Sequence, residues 1–349
     1  MTVVVRVSPD NPEPNLIQQA ASVIRDGRLV AFPTETVYGL GADALNDRAV
    51  HDIFEAKGRP ADNPLIVHVC NRQMLGVVAS GLSKTAELLA ERFWPGPLTL
   101  VLPRGSNVPA SVSAGLDTVA VRMPRSRIAL DLIRAAGRPI AAPSANISGR
   151  PSPTTAAHVL SDLDGRIDMV IDGGRTEIGV ESTVLDVTQE PPVILRPGWI
   201  TRGQLEAILG RVEASACNEK RRRSPGTRHR HYTPTAPVIL TESVSPDSIR
   251  RLVSEKLGNG PTGFVGSAPM EIDRAGFHPV RLPPTAGDYA RAIYAALREL
   301  DEIGVRVIVV QGISDEGEGA AVMDRLRRAA SEIIVGDRQR EGKPRLLGE

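Results

Sequence analysis

The amino-acid sequence predicts a mixed α/β protein with two domains, a large N-terminal domain built on one extensive sheet and a smaller doubly wound C-terminal domain. The chain has 349 residues, more than a single hydrophobic core usually supports. Short β-branched runs alternate with amphipathic segments over the first two hundred residues, and this alternation returns after a basic, turn-rich stretch that is typical of a linker. The predicted boundaries are 1–211, 212–237 and 238–349.

The N-terminal elements follow from hydrophobic periodicity and from helix start and stop signals. A strand at 3–7 precedes a helix at 14–26, which has Pro14 in its first turn and Gly27 at its end. Asp47 is expected to cap the next helix, which ends before Gly58. The other predicted strands are 29–32, 65–69, 98–102, 118–123, 140–142, 169–171 and 183–187, and the other predicted helices are 83–93, 127–136, 155–163 and 202–209.

The C-terminal elements repeat a strand–helix alternation. Strands are predicted at 238–240, 262–265 and 305–310, and helices at 246–257, 288–300 and 322–330. This order predicts a doubly wound, Rossmann-like α/β domain.

Composition narrows the class of protein. The chain has 42 Lys and Arg against 41 Asp and Glu, so no overall field favours nucleic acid or a membrane surface. Cys70 and Cys217 lie far apart and predict neither a zinc site nor a disulfide framework. The N-terminal apolar run is too short for a signal peptide, and no stretch is long enough to span a bilayer. We expect a soluble, cytoplasmic protein.

Four polar segments carry the candidate chemistry, and each lies at a predicted strand end, where sheet proteins place ligand sites. They offer hydroxyls, amide-rich turns, cations and a histidine, a set that can hold a phosphorylated ligand. No Walker-type GxxxxGK or GxGxxG motif is present. The segments are FPTETVYGLG at 32–41, KGRPADNPLIVHV at 57–69, APSANISGRPSPT at 142–154 and GVESTVLD at 179–186.

Each candidate residue also has a purely structural interpretation. Lys57 and Arg59 follow a helix end and can converge on one anion, or Lys57 can simply complement the helix C-terminus. Ser144, Asn146 and Ser152 can contact a phosphate or can be ordinary turn residues.

Two strand residues likewise have both a functional and a structural interpretation. His68 lies on the face opposite Val67 and can bind a substrate or be a half-buried core residue. Arg122 lies in a strand and needs a carboxylate or phosphate partner if it is buried. A substrate carboxylate would meet that need.

The four segments together resemble the threonylcarbamoyl-AMP synthase family of YrdC-like enzymes, from about Leu16 to Pro234. The family signature Lys-x-Arg and Ser-x-Asn is present as Lys57-Gly58-Arg59 and Ser144-Ala145-Asn146. The strings PTETVYGLG, NPLIVHV, SGRPSPT and STV match as well, and the linker string SPGTRHRHYTP resembles the longer, two-domain branch. Thr227-Arg228-His229 departs from the Met-Lys-Tyr-like stretch of that branch.

The resemblance implies a YrdC-like domain with a twisted mixed sheet and synthesis of threonylcarbamoyl-AMP from L-threonine, bicarbonate and ATP, for threonylcarbamoyl-adenosine in tRNA. Lys57 and Arg59 are implied as catalytic. Threonine would be bound by Thr36, His68, Arg122, Ala142 and Ser182. ATP would be bound by Lys57, Arg59, Asn63, Thr118, Ser144, Asn146, Ser152, Arg196 and Tyr232.

Mg²⁺ is expected as a cofactor, held mainly by the ATP phosphates and water, because no compact acidic cluster is present. His229 and His231 alternate without a third ligand, so no protein metal ligand is predicted. The residues at 211–237, with Tyr232 and the turn Ser224-Pro225-Gly226, are predicted to form a lid over ATP; a passive tether is the alternative.

Two other functions remain open at this point. The linker cations Lys220, Arg221, Arg222 and Arg223 fit an RNA-binding module, although the balanced charge argues against it. A carbamoyl-transfer enzyme of hydrogenase maturation embeds a similar domain, but its additional segments are missing from this sequence. The resemblance implies a downstream threonylcarbamoyl-transferase complex acting on tRNA as the partner, no membrane, and weak or no direct tRNA binding.

Overall fold

The structure is a computed structural model that describes residues 1–214 and 232–336. Its first sheet, with the helices around it, forms the N-terminal unit. The strands of that sheet are β1 (Val3–Arg6), β2 (Val30–Pro33), β3 (Tyr38–Asp43), β4 (Ile66–His68), β5 (Leu98–Pro103), β6 (Thr118–Arg122), β7 (Ile140–Ala141), β8 (Met169–Asp172), β9 (Thr183–Asp186), β10 (Val193–Arg196) and β11 (Glu213–Ala214). The helices of this unit are α1 (Pro14–Arg25), α2 (Asp47–Lys57), α3 (Arg72–Val78), α4 (Lys84–Phe93), α5 (Ala110–Ser113), α6 (Arg127–Ala136), α7 (Ala156–Leu163) and α8 (Arg202–Leu209).

The second sheet and its helices form the C-terminal unit. Its strands are β12 (Val238–Glu242), β13 (Thr262–Gly266), β14 (Phe277–Arg281), β15 (Val307–Gln311) and β16 (Ala330–Val335). Its helices are α9 (Pro246–Leu257), α10 (Ala286–Ile303) and α11 (Gly319–Ala329). The predicted linker lies mostly outside the described residues, as do Cys217, residues 220–231 and the chain beyond 336.

The N-terminal sheet is mixed, with the strand order β1-β8-β2-β3-β7-β4-β6-β5-β9-β10-β11. One face packs on α1 and α6 through residues such as Ile24 and Leu132, and the other packs on α2 through Ile53. The parallel pairing of β4 with β6 sets His68 opposite Arg122. The predicted mixed α/β fold is therefore confirmed, and its centre brings two predicted site residues together.

The C-terminal sheet is wholly parallel, in the order β14-β13-β15-β12-β16. Successive residues of its strands face opposite sides of the sheet, and helices cover both sides, so each face has its own hydrophobic core. Val238 and Val310 share a core with α10 and α11, whereas Phe264 and Val309 pack against α9. The doubly wound architecture is confirmed.

Some element ends differ from the sequence expectation. Asn46, not Asp47, caps α2, because its side chain accepts from the Ala49 amide at 3.3 Å. Gly27 and Gly58 have the left-handed φ expected of helix ends, 75° and 59°. The last helix was predicted at 322–330. In the structure it ends at Ala329, since the chain continues from Ala330 as β16.

The domain boundaries stay a prediction. β11 joins the first sheet at residues 213–214, and β12 begins the second at Val238. Within the two described ranges, no helix is long and apolar enough to cross a membrane.

Candidate active site

A cleft opens on the N-terminal unit where the β2–β3 turn meets β4, β6 and the loops next to β7 and β9. Eleven of the fourteen predicted site residues line it: Thr36, Arg59, His68, Arg122, Ala142, Ser144, Asn146, Ser152, Ser182, Arg196 and Tyr232. Lys57, Asn63 and Thr118 do not. Segments far apart in the sequence therefore form one site.

Arg122 lies buried at the floor of the cleft and already has a carboxylate partner. Its Nη2 is 2.7 Å from Glu35 Oε1, and both side chains are almost fully buried. The guanidinium also donates to Thr36 Oγ1 at 3.0 Å and to the Gly96 carbonyl at 3.2 Å. Glu35 meets the need for a counter-charge that the sequence assigned to a substrate, and sequence reasoning missed it.

His68 is buried beside Arg122 and meets Phe32 edge-on, with ring centroids 6.4 Å apart. Burial, and then the charge of Arg122, lower the pKa of His68 to about 3. The imidazole is therefore neutral at physiological pH. Its Nδ1 is buried and has no hydrogen-bond partner among the residues that the structure describes.

Lys57 lies behind the cleft rather than in its lining. Its ammonium is buried and donates to the carbonyls of Ser144, at 2.5 Å, and Asn146. Burial, followed by the nearby charge of Arg59, lowers the pKa of Lys57. The side chain thus holds the turn that carries Ser144 and Asn146 from below.

Arg59 does line the cleft. Its Nε and Nη2 donate to the carbonyls of Asn63, at 3.3 Å, and Pro64, at 3.0 Å. Burial lowers the pKa of Arg59 to about 10, so the guanidinium stays charged at neutral pH. Asn63 is fully buried, and Thr118 begins β6 opposite Pro103.

The turn after β7 is organised by its own side chains. Ser144 Oγ donates to Asn146 Oδ1 at 2.5 Å, and Asn146 Nδ2 donates to the carbonyls of Ile147, at 2.7 Å, and Arg150, at 3.0 Å. These contacts fix the hydroxyl of Ser144 at the cleft wall. Arg150, which the sequence analysis did not single out, lines the same wall and pairs with buried Asp162 at 2.7 Å.

Arg196 and Ser182 form the opposite wall. Arg196 donates through Nη2 to the carbonyl and hydroxyl of Ser182, at 3.0 and 3.2 Å. The Ser182 hydroxyl also shares a 2.8 Å hydrogen bond with Thr99. A preorganised hydroxyl and a buried cation thus lie side by side.

Tyr232 closes one side of the cleft and contacts the C-terminal unit. Its ring stacks on Tyr294 with centroids 5.6 Å apart, and the Arg325 guanidinium lies 5.6 Å from its centre. Arg325 also binds Glu181, a cleft residue. Sequence reasoning missed Glu181, although it lies in the GVESTVLD segment, and it missed Tyr294 and Arg325, which no motif marks.

The charges of the cleft favour an anionic ligand. Four arginines, Arg59, Arg122, Arg150 and Arg196, line it, and among the described lining residues Glu181 is the one carboxylate. Within residues 1–214 and 232–336 no group of three or more His, Cys, Asp or Glu could hold a metal ion. Fixed cations and hydroxyls can stabilise negative charge that moves among phosphate oxygens.

Two family models match the chain. The model for the Sua5, YciO and YrdC proteins, described as "Telomere recombination", matches residues 22–198. A model described as "Threonylcarbamoyl-AMP synthase, C-terminal domain" matches residues 200–331. The two matches follow the order of the two sheets.

Relatives match over nearly the whole chain. The threonylcarbamoyl-AMP synthase of Pyrococcus abyssi is 48% identical over 96% of this chain and 99% of its own. That of Bacillus subtilis is 46% identical over 94% and 96%. A crystal structure of P. abyssi Sua5 complexed with L-threonine superposes with a TM-score of 0.91, at 48% identity, over 96% of this chain and 99% of that one. The chain belongs to the threonylcarbamoyl-AMP synthase family, in its two-domain form.

Proposed function

We propose that this protein forms threonylcarbamoyl-AMP and pyrophosphate from L-threonine, bicarbonate and ATP. The observation that carries the proposal is one cleft with two parts. A buried arginine lies beside a neutral histidine and two hydroxyls in one part, and Arg59 and Arg196 line the other. The full-length likeness to threonylcarbamoyl-AMP synthases supports the same reaction.

The amino acid fits the part of the cleft around Arg122. We assign its carboxylate to Arg122, which Glu35 holds in place. Thr36, His68 and Ser182, with the backbone at Ala142, would then read the amine and the hydroxyl. Because burial keeps His68 neutral, it can exchange hydrogen bonds there without adding a charge.

ATP fits the arginine-rich part. Arg59 and Arg196 would neutralise the phosphates, and Ser144, Asn146, Ser152 and Tyr232 would position the nucleotide. Lys57 would act from behind the turn that it holds. The roles of Asn63 and Thr118 are proposed on the family resemblance alone.

The proposed chemistry has two steps. The threonine nitrogen bonds to the carbon of bicarbonate with loss of water, and a carbamate oxygen then attacks the α-phosphorus as pyrophosphate leaves. Both the carbamate and the mixed anhydride hydrolyse, so the protein has to align reactants and exclude water. The arginines stabilise the charge that develops on the phosphate oxygens.

Magnesium would enter with ATP as part of the substrate. The cleft fits a resident cation poorly, since Arg325, Tyr294 and Ser152 already donate to the Glu181 carboxylate. We therefore propose that the ATP phosphates and water supply most of its ligands.

The product would be consumed by a downstream threonylcarbamoyl-transferase acting on tRNA. The formal net charge of +1 gives no general attraction to nucleic acid. Direct tRNA binding is expected to be weak or absent. If the protein were instead primarily an RNA-binding module, its tRNA affinity would be strong and would fall steeply with salt.

The test is to incubate the pure protein with ATP, magnesium and bicarbonate, with and without L-threonine, and to follow pyrophosphate and adenylate formation. We expect both products to require threonine. We also expect 2-aminobutyrate to be a far poorer substrate than serine, because a site that hydrogen-bonds a hydroxyl rejects an analogue lacking it. Threonine-independent pyrophosphate release would refute the assignment, and equal use of threonine and 2-aminobutyrate would remove the hydroxyl contact.

A further inference from the structure

The C-terminal unit reaches the cleft through two buried side chains, Tyr294 of α10 and Arg325 of α11. Arg325 Nε donates to Glu181 Oε2 at 2.8 Å, and its Nη1 donates to the Pro197 carbonyl at 2.8 Å. The Tyr294 hydroxyl donates to the same carboxylate at 3.1 Å. A residue of the cleft lining is thus held by two residues of the other unit.

Glu181 also binds Ser152, so the position of the Ser152 hydroxyl depends on the two C-terminal side chains. The Ser152 hydroxyl donates to Glu181 Oε1, and both side chains are buried in the cleft wall. One carboxylate therefore accepts hydrogen bonds from Ser152, Tyr294 and Arg325. A shift of either C-terminal side chain would move the Ser152 hydroxyl or leave a buried oxygen unpaired.

Tyr232 depends on the same two residues. Its backbone has φ of 66°, a region that residues other than glycine seldom adopt unless surrounding structure holds them there. Tyr294 stacks on one side of its ring and Arg325 contacts its π-system. These contacts fix the buried ring that lines the cleft.

The threonine part of the cleft is built differently. Arg122 is held by Glu35, Thr36 and Gly96, all residues of the N-terminal unit. Tyr294 and Arg325 instead bind Glu181 and Tyr232, so the Arg122 group and the nucleotide part of the cleft can be perturbed separately.

We propose that Tyr294 and Arg325 are positioning residues for the nucleotide part of the site, acting through Glu181, Ser152 and Tyr232. This inference rests on the proposed function for the identity of the nucleotide, ATP. Neither residue need touch a substrate. The consequence is that the C-terminal unit completes the ATP site and leaves the Arg122 group of the threonine site unchanged.

The test measures ATP and L-threonine affinity by calorimetry, with steady-state kcat and KM, for Arg325→Gln and Tyr294→Phe in the full chain. We expect Arg325→Gln to weaken ATP binding by about tenfold or more, the equivalent of one charge-assisted hydrogen bond. Tyr294→Phe keeps the stacked ring and loses one hydroxyl, so a loss of about threefold is expected. Threonine affinity should stay within about twofold in both, because the Arg122 group is independent of these residues.

The matched control is Arg291→Gln. Arg291 crosses the same interface, donating to the Glu177 carbonyl at 2.8 Å, but binds neither Glu181 nor Tyr232. It should leave both affinities unchanged. In a double-mutant cycle with Glu181→Gln, the losses should be clearly less than additive, since both changes remove one linkage.

The outcomes separate this inference from the proposed function. Unchanged ATP affinity in Arg325→Gln, equal losses for ATP and threonine, or additive losses in the cycle would overturn the positioning role. If Arg325→Gln does not fold, the Tyr294→Phe affinities decide in the same way. A wild-type protein that binds no ATP would instead overturn the proposed function.

Discussion

At the scale of single residues, the sequence singled out side chains that line one cleft, but it did not indicate what they contact. The sequence indicated that Arg122, an arginine in a strand, needs an anionic partner if it is buried, and the structure shows that it is buried. Its partner Glu35 lies in a neighbouring segment of the site, but no sequence spacing links two residues that meet only through the fold. For the same reason Lys57 could be recognised, but not its position behind the Ser144 turn.

The pair formed by Glu35 and Arg122 yields a prediction about threonine. Glu35→Gln should lower the free energy of unfolding by about 3 kcal/mol, because it leaves a buried guanidinium without its counter-charge. If the threonine carboxylate binds Arg122, saturating threonine should raise the melting temperature more in the variant than in the wild type. Thermal unfolding with and without threonine measures both effects.

Glu177→Gln is the matched control, since its ion pair with Arg125 at 2.8 Å is exposed. Its stability change should stay below about 0.5 kcal/mol. Equal stabilisation of wild type and Glu35→Gln by threonine would place the substrate carboxylate away from Arg122.

At the scale of elements, strongly periodic segments were predicted well and short or unusual strands were not. β3 was interpreted as part of a polar turn because its Tyr-Gly-Leu-Gly start resembles a loop. Gly41 is required there, since a Cβ would lie 2.7 Å from the Phe32 ring and 2.8 Å from Ile140. β14 carries Pro279 at a sheet edge, where proline is tolerated but argues against a strand in the sequence.

At Gly179 the backbone of the N-terminal unit lies close to α10 of the C-terminal unit. Gly179 has φ of 90°, and a Cβ there would lie 2.5 Å from the Ala290 carbonyl oxygen and the Arg291 Cα of α10. Gly179→Ala should therefore strain its own backbone and push α10 away, destabilising the protein by about 3 kcal/mol. Urea unfolding measures the loss.

Gly174→Ala separates the two causes. Gly174 has a similar φ of 81°, but nothing lies within 4 Å of its added Cβ. It should cost only about 1 kcal/mol, the penalty of the left-handed backbone. Equal losses of stability in the two variants would show that the close approach of α10 to Gly179 does not contribute to the destabilisation.

At the scale of the whole molecule, the sequence predicted the two units but not how they meet. Hydrophobic periodicity shows which face of a helix is buried, yet α10 and α11 bury arginines and tyrosines there as well. Arg298 and Arg325 are both buried, paired with Asp162 and Glu181 of the other unit. Such pairs carry no local sequence signal, because the partners are more than a hundred residues apart.

The pairing of Arg298 with Asp162 predicts that the two units unfold together. Arg298 Nη2 donates to Asp162 at 2.7 Å and also to the Pro151 carbonyl. Arg298→Gln should lower stability by about 3 kcal/mol, since it removes one partner of a buried ion pair. We expect one calorimetric transition for the wild type and two for the variant, because the interface then fails before either core.

Arg328→Gln is the control: Arg328 pairs with Asp324 at 2.9 Å inside α11, so the transition should stay single. Two transitions in the wild type, or a single one in Arg298→Gln, would show that this ion pair does not couple the units.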